Sequence, residues 1–221
     1  ATVTLAFAAS GATLHVPAQY NTIQEGIDAG VNGDTVLIAD GTYTGTGNKN
    51  IDFQGKALIV ISESGAENCI IDCEGEGRGF FLDSGATDAF VSGFTIKNGN
   101  SSGISSWQSS AKITNCIING NTSSGGVGGG LNLIDSPLII ENCLIIENSS
   151  GIGGQGGGIR CGNSSPVIFN CTFSKNTPGI ADSGGAISCR YYSSPIITNC
   201  ILWGNDKGEI STYADSYPVV S

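Results

Sequence analysis

The sequence predicts an all-β fold, a single-stranded parallel β-helix (solenoid) closed at its start by a short N-terminal capping helix. Three observations carry this. One phrase recurs, as AKITNCIINGN at 111–121, SPLIIENCLIIEN at 136–148, SPVIFNCTFSKN at 165–176 and SPIITNCILWGN at 194–205. Its cysteines, Cys116, Cys143, Cys171 and Cys200, stand 27, 28 and 29 residues apart, and Asn121, Asn148, Asn176 and Asn205 keep the same intervals. A glycine-rich register lies between them: GGGLNL from Gly128, GGGIRC from Gly156 and GGAISC from Gly184, each 28 residues from the next. Self-similarity at such a period marks a stacked array. Inside each unit apolar residues alternate at spacing two, as in Ile159 and Cys161 or Cys171 and Phe173, which is strand spacing. Gly, Asn and Ser-Pro clusters punctuate the runs and leave no room for a helix of three turns. Three short strands per unit make one rung, and successive rungs hydrogen-bond about 4.8 Å apart.

Residues 1–13 form the first segment. ATVTLAFAASGA has two readings, the end of a secretory apolar region with its cleavage site, or a strand in which Val3, Leu5 and Phe7 alternate with Thr2, Thr4 and Ala6. Both favour export, with an extracellular or cell-surface location. Residues 14–34 form a cap. Thr22 is followed by Glu25, a capping-box start, and Ile23 and Ile27 lie four apart on one stripe, so a short amphipathic helix closes the first rung. Such a cover keeps an edge from pairing with another chain. Residues 35–221 are the β-helix. Its early strand runs, DTVLIADGTY (34–43), KALIVISESG (56–65), ENCIIDCEG (67–75), RGFFLDSG (78–85) and AFVSGFTIKNG (89–99), each end in Gly or a turn.

In the regular units equivalent residues stack. Cys116, Cys143, Cys171 and Cys200 form one inward ladder, and Ile113, Ile140, Ile168 and Ile197 another. Between them Asn115, Asn142, Asn170 and Asn199 stand where an inward residue would otherwise follow, so the chain bends there. Asn tolerates the left-handed conformation, and stacked Asn side chains bond along the column. After Asn205, DKGEISTYADSYPVVS reads as a partial rung through Ile210 and the PVV run, with no covering helix. An uncovered rung offers unpaired backbone to a neighbour. Three explanations stand open: later rungs have been removed, the final turn caps itself, or a neighbour covers the end. On the third, the assembly interface is Val3, Leu5 and Phe7 on one side and Ile210, Val219 and Val220 on the other, a head-to-tail contact that propagates.

A net charge of −10 disfavours nucleic-acid and anionic-membrane partners, and no apolar run reaches the length of a membrane span. The ladder cysteines read as reduced, core-filling thiols, because parallel strands in register point side chains alongside each other. Cys161 with Cys189, and Cys69 with Cys73, are the better candidates for bridges. Metal ligation by thiols is disfavoured: the spacings are rungs rather than paired short loops, and the one histidine, His15, is elsewhere.

LHVPAQYNTIQEGIDAGVNGDTVLIADGTYTG and GKALIVISESGAENCIIDCEGEGRGFFLDSG resemble the N-terminal part of bacterial right-handed parallel β-helix repeat proteins of the pectin-lyase-like superfamily. The later units, with GGAI at 184–187 and FSKN at 173–176, resemble the repeat of polymorphic outer-membrane proteins. The resemblance spans residues 14–205 and implies a right-handed β-helix. Proteins of this kind include adhesins, structural modules and carbohydrate-active enzymes, so fold alone assigns no function. The Asn-Thr-Asp, Asp-Asp and Gly-His-Gly motifs of pectin-degrading hydrolases and the Arg-x-Pro-x-x-Arg stretch of pectate lyases do not occur here.

Two side-chain clusters are candidates for binding, and none for catalysis. Asp72, Glu74 and Glu76, with Arg78 and Lys97 nearby, offer hard oxygen ligands for calcium against the alternative of a solvated acidic strand end. Arg160 and Arg190, two rows apart on neighbouring rungs, with Tyr191 and Tyr192, offer a glycan-contacting surface against the alternative of an ordinary exposed face. Trp107 reads as a loop residue, and five sequons (Asn100, Asn121, Asn148, Asn163, Asn170) say little in so Asn- and Ser-rich a repeat. The expected function is that of a secreted structural or adhesive β-helix protein, with end-to-end self-association into a filament. The alternative is a polysaccharide lyase or another carbohydrate-active or carbohydrate-binding module acting on an extracellular polysaccharide.

Overall fold

A computed structural model describes residues 11–221, and Val3, Leu5 and Phe7 lie outside them. The chain is a right-handed parallel β-helix of three sheets, one of nine strands and two of seven. Seven rungs each place one strand on every face, and the first face gains one further strand at either end. A representative rung runs through Ile139–Glu141 on the first face, Leu144–Ile146 on the second and Ile159–Gly162 on the third. All pairings between named strands are parallel and in register, for example Ile140 with Ile168 and Leu133 with Cys161.

The cap forms as its sequence dictates. Helix α1, Ile23–Ala29, starts at Thr22, whose side chain accepts from the Glu25 amide at 3.2 Å. The Glu25 carboxylate in turn accepts from the Asn21 amide at 2.8 Å, one residue further back than a standard capping box. Ile23 and Ile27 are fully buried. No helix among the described residues is long and apolar enough to cross a membrane.

The core is one continuous column of inward residues. The isoleucine ladder and Cys116, Cys143 and Cys171 are buried, and Cys200, in the last rung, is half-buried. Asn115, Asn142, Asn170 and Asn199 take the left-handed conformation, φ 51–55°, and make the bend from first to second face. They are exposed, and they bond in pairs across rungs, Asn142 to Asn115 at 3.5 Å and Asn199 to Asn170 at 2.5 Å.

The buried asparagine ladder is the other column. Asn121, Asn148 and Asn176 are completely buried, and Asn205 nearly so. The Asn121 amide N–H and Nδ2 both donate to Asn148 Oδ1, at 3.0 and 3.1 Å, and Asn148 does the same to Asn176 and Asn176 to Asn205. Each Nδ2 also donates to a backbone carbonyl of the preceding rung. Two of the sequons, at Asn121 and Asn148, are therefore inside the protein and beyond reach of a glycan.

A serine ladder closes the turn from third to first face. Ser109, Ser136, Ser164, Ser193 and Ser216 are buried, and the amide of each of the first four donates to the next hydroxyl at 2.9–3.3 Å. This explains the serine that stands one or two residues ahead of each proline, Ser136 before Pro137, Ser164 before Pro166 and Ser193 before Pro195: it satisfies backbone of the neighbouring rung, and the proline, fixed in φ, leads into the next strand. The glycine-rich register has an equally local cause. A Cβ on Gly157 would lie 2.4 Å from the Thr177 nitrogen and 2.7 Å from the Gly185 oxygen, so backbone packs on backbone there.

The expected bridges are corrected: all eight thiols are free. Cys161 and Cys189 are partners in register and both point inward side by side. Cys69 and Cys73 face the core from one extended stretch, about 13 Å apart at strand rise, beyond disulfide reach. Burial pushes both of these thiols up from the ordinary value of 9.0 to about 12. Folded and unfolded thiols alike are protonated below pH 9, so their contribution to stability is full there. As pH rises from 9 toward 12 the unfolded thiols ionise first, the unfolded state binds fewer protons, and stability falls. Urea midpoints should decline over this window, and replacing Cys69 and Cys73 together by Ala should flatten the decline.

Candidate functional site

The third face differs from the other two in what it turns outward. One outward column runs Ser105, Asn132, Arg160, Ser188, Ser211, and the next runs Trp107, Ile134, Gly162, Arg190, Tyr213. Trp107 is thus a strand residue, half-exposed, rather than a loop residue. Loops entering this face from the second lie over part of the first column, so Ser105, Asn132 and Ser188 are buried although they point away from the core.

All three arginines of the chain are placed on this face. Arg160 lies across the space left by Gly162: a Cβ there would meet Arg160 Nη1 at 2.9 Å. Its Nε donates to Gln155 Oε1 at 3.2 Å and its Nη1 to Asn132 Oδ1 at 3.3 Å. Arg190, only 9% exposed, donates from Nε to Ser188 Oγ at 3.4 Å and stacks its guanidinium over the Tyr213 ring, 5.1 Å from the centroid. Arg78 lies over the Phe81 ring at 5.1 Å. Among the described residues every ion pair uses a lysine and none an arginine. Burial lowers the Arg160 pKa, and the like charge of Arg190 lowers it further.

Beside Arg190 is an exposed aromatic patch. The Tyr191 and Tyr213 rings meet edge to face at 6.0 Å. Tyr192 and Tyr217 are more exposed still, at 68% and 69%. Tyr191 and Tyr192 both have positive φ, 56° and 63°, uncommon for so bulky a residue. In earlier rungs the position of Tyr191 is held by Gln108, Asp135 and Asn163, also left-handed. The turn is thus a feature of the stack, and the tyrosines are set onto it. Tyr213, Tyr217 and Asn132 escaped the sequence reading. The last turn is shorter, 23 residues from Arg190 to Tyr213, so a 28-residue period does not align the two tyrosines. Asn132 does align with Arg160 at that period, and a neutral amide in an Asn-rich repeat carries no signal of its own.

The acidic run separates into ion pairs. Glu74 and Glu76 both bind Lys49, at 2.9 and 2.8 Å, while Asp72 meets Lys97 at 3.3 Å and accepts from Asn98 Nδ2 at 2.9 Å. Burial pushes the Asp72 carboxyl up, but Asn98, the Glu74 amide and Lys97 outweigh it and hold it below the ordinary value. Lys49 holds Glu74 low in the same way. Arg78 belongs to the third face and not to this run. Among the described residues no group of three or more His, Cys, Asp or Glu is placed to hold a metal ion. Ile210 is half-buried in the last third-face strand, and Val219 and Val220 are exposed on the first face.

Residues 128–221, which hold the most regular units, match the family model described as "Right handed beta helix region". Two crystal structures of the pectin methylesterase from Aspergillus niger, one deglycosylated and one that keeps an N-acetylglucosamine stub, are similar at 14% and 13% identity. Their TM-scores are 0.41 and 0.42, and each alignment covers 96% of this chain and 85% of that one. Comparison with curated proteins found no match.

Proposed function

We propose that the protein is an extracellular adhesive β-helix whose third face contacts a polysaccharide. The observation that carries this is the Arg190–Tyr213–Tyr191 arrangement. A guanidinium held over one ring, with a second ring edge-on to it, leaves two tyrosines about half exposed and fixed in place. Rigid aromatic surface with a hydrogen-bonding tip binds at low cost in side-chain entropy, and sugar rings offer both C–H faces and hydroxyls to such a surface. Buried Asn and Ser ladders supply the stiffness a display scaffold needs. An Asn-, Ser- and Thr-rich, lysine-poor surface is in keeping with a place outside the cell.

A panel of neutral and acidic polysaccharides in affinity gel electrophoresis tests the reading. Retardation by at least one of them is expected, and Tyr213→Ala should weaken it roughly tenfold, as for a central aromatic contact. Trp203→Ala is the control, since Trp203 is 76% exposed but lies on the second face. Equal loss in both variants, or no retardation by any polysaccharide, refutes the proposal.

A further inference from the structure

On the same face, reaching from the rung of Arg78 to that of Asn132, next to Arg160, lies a cleft of about 290 Å³ lined by Arg78, Ser101, Ser105, Ser123, Asn132, Gly125 and Val127. An isolated antiparallel bridge between Ser101 and Ser123 forms one wall. Among the described residues the Arg78 guanidinium, the Ser101 hydroxyl and Asn132 Nδ2 donate to no partner. The Asn132 amide is oriented by Arg160, whose N–H requires Oδ1 on its side and so turns Nδ2 away. Of the other two hydroxyls, Ser105 donates to the Ser101 carbonyl at 3.3 Å, while Ser123 accepts from the Val127 amide at 3.3 Å and its own O–H is a further donor without a partner among the described residues. Asn132 is 8% exposed and Ser123 fully buried.

No Asp or Glu lines the cleft. Asp52, one rung away, offsets part of the burial that lowers the Arg78 pKa, and one of its oxygens already accepts from the Gln54 amide. A half-buried guanidinium facing donors rather than acceptors lacks hydrogen-bond partners. A group with several acceptors satisfies these donors together, and a negative charge on it matches the Arg78 guanidinium, which no carboxylate of the cleft meets.

We propose that this cleft binds an oxyanion, with Arg78 as the bidentate fork and Ser101 and Asn132 as flanking donors. The ligand class is a carboxylate, sulfate or phosphate, free or as a substituent on a larger molecule. In a chain of net charge −10 long-range attraction does not supply the binding; local, desolvated geometry does. The site is separate from the aromatic patch and does not depend on it.

The test follows the Arg78 Nε–Hε and Asn132 side-chain amide resonances of the full chain by NMR. The titrants are sodium sulfate, sodium phosphate and sodium glucuronate, with ionic strength held constant by sodium chloride. Saturable shifts of both resonances are expected with at least one titrant. Sulfate and phosphate report a tetrahedral anion, and glucuronate a sugar carboxylate. Arg78→Gln should weaken binding roughly tenfold or more, Arg78→Lys less, and Lys175→Gln, which removes an exposed charge beside the second face, not at all. Should Arg78→Gln lose its native circular dichroism, Ser101→Ala, which removes a single hydroxyl from the wall, must still weaken the saturable phase severalfold. Shifts that stay linear with all three anions, or binding indifferent to the Arg78 and Ser101 variants, would overturn the proposal.

Discussion

Replacing Asn148 by Ala should cost about 4 kcal/mol, among the largest effects a single side chain can have in this fold. Asn148 is completely buried between two asparagines. Its Oδ1 accepts from both the amide and the side chain of Asn121, and its Nδ2 donates to Ile118 O at 2.9 Å and Asn176 Oδ1 at 3.0 Å. Truncation deprives two donors on one side and affects acceptors on the other, with no solvent to replace what is lost. Each such orphan costs about 1–3 kcal/mol. For a chain of this size the melting temperature should fall by about 8–16 °C. The loss is also local, because each rung touches only its neighbours. Hydrogen exchange at the Asn121 amide, whose acceptor is removed, should accelerate well beyond exchange in the first rungs. Asn115→Ala is the comparison. That residue is exposed and does its work through φ 52°, so its replacement should cost only about 1–2 kcal/mol. Equal losses in the two variants would mean that the buried column has no special energetic role.

The two asparagine columns show how far the sequence can be read. Both keep the spacings of the cysteines, and both border apolar runs. The bend at Asn115, Asn142, Asn170 and Asn199 is legible because Asn is a residue that tolerates left-handed backbone, and the structure has it there. The inward turn of Asn148 and Asn176 depends on the residue before each. Glu147 and Lys175 take φ of 57° and 56°, and this redirects the chain so that the next side chain points into the core. Neither Glu nor Lys announces that conformation, so the more deeply buried column looks like the more ordinary one. Strand alternation made the inward apolar ladders legible for a similar reason in reverse: a period of two needs no special backbone.

The third face was legible only in part. Arg160, Arg190, Tyr191 and Tyr192 stand out as charge and aromatic bulk in a polar repeat, but Tyr213 joins them only through a shortened turn. Arg78 is close in sequence to Glu74 and Glu76, and that closeness invites pairing with them. A strand and its neighbours decide otherwise: Lys49, from the preceding rung, takes both carboxylates, and Arg78 is left over Phe81. Sequence proximity sets which charges are near, while the rung stack sets which of them meet.

Phe80→Ala is expected to be as damaging as the asparagine variant, and by a different cause. Phe80 is completely buried in the early, less regular rungs, where it contacts Phe53 and Phe94 edge to face at 6.0 and 5.6 Å. Truncation removes the transfer energy of the ring and leaves a cavity between two rings that are themselves fixed by packing, so about 3–5 kcal/mol should be lost. Phe80→Leu keeps most of the volume and should lose substantially less. The cavity in the alanine variant is lined by apolar side chains and should stay dry, so benzene should raise its melting temperature while leaving the parent unaffected. If alanine and leucine destabilise equally, or benzene stabilises neither protein, the aromatic trio is not a packed unit. The regular rungs hold themselves by repeated polar ladders, and the irregular ones must then find their cohesion outside this cluster.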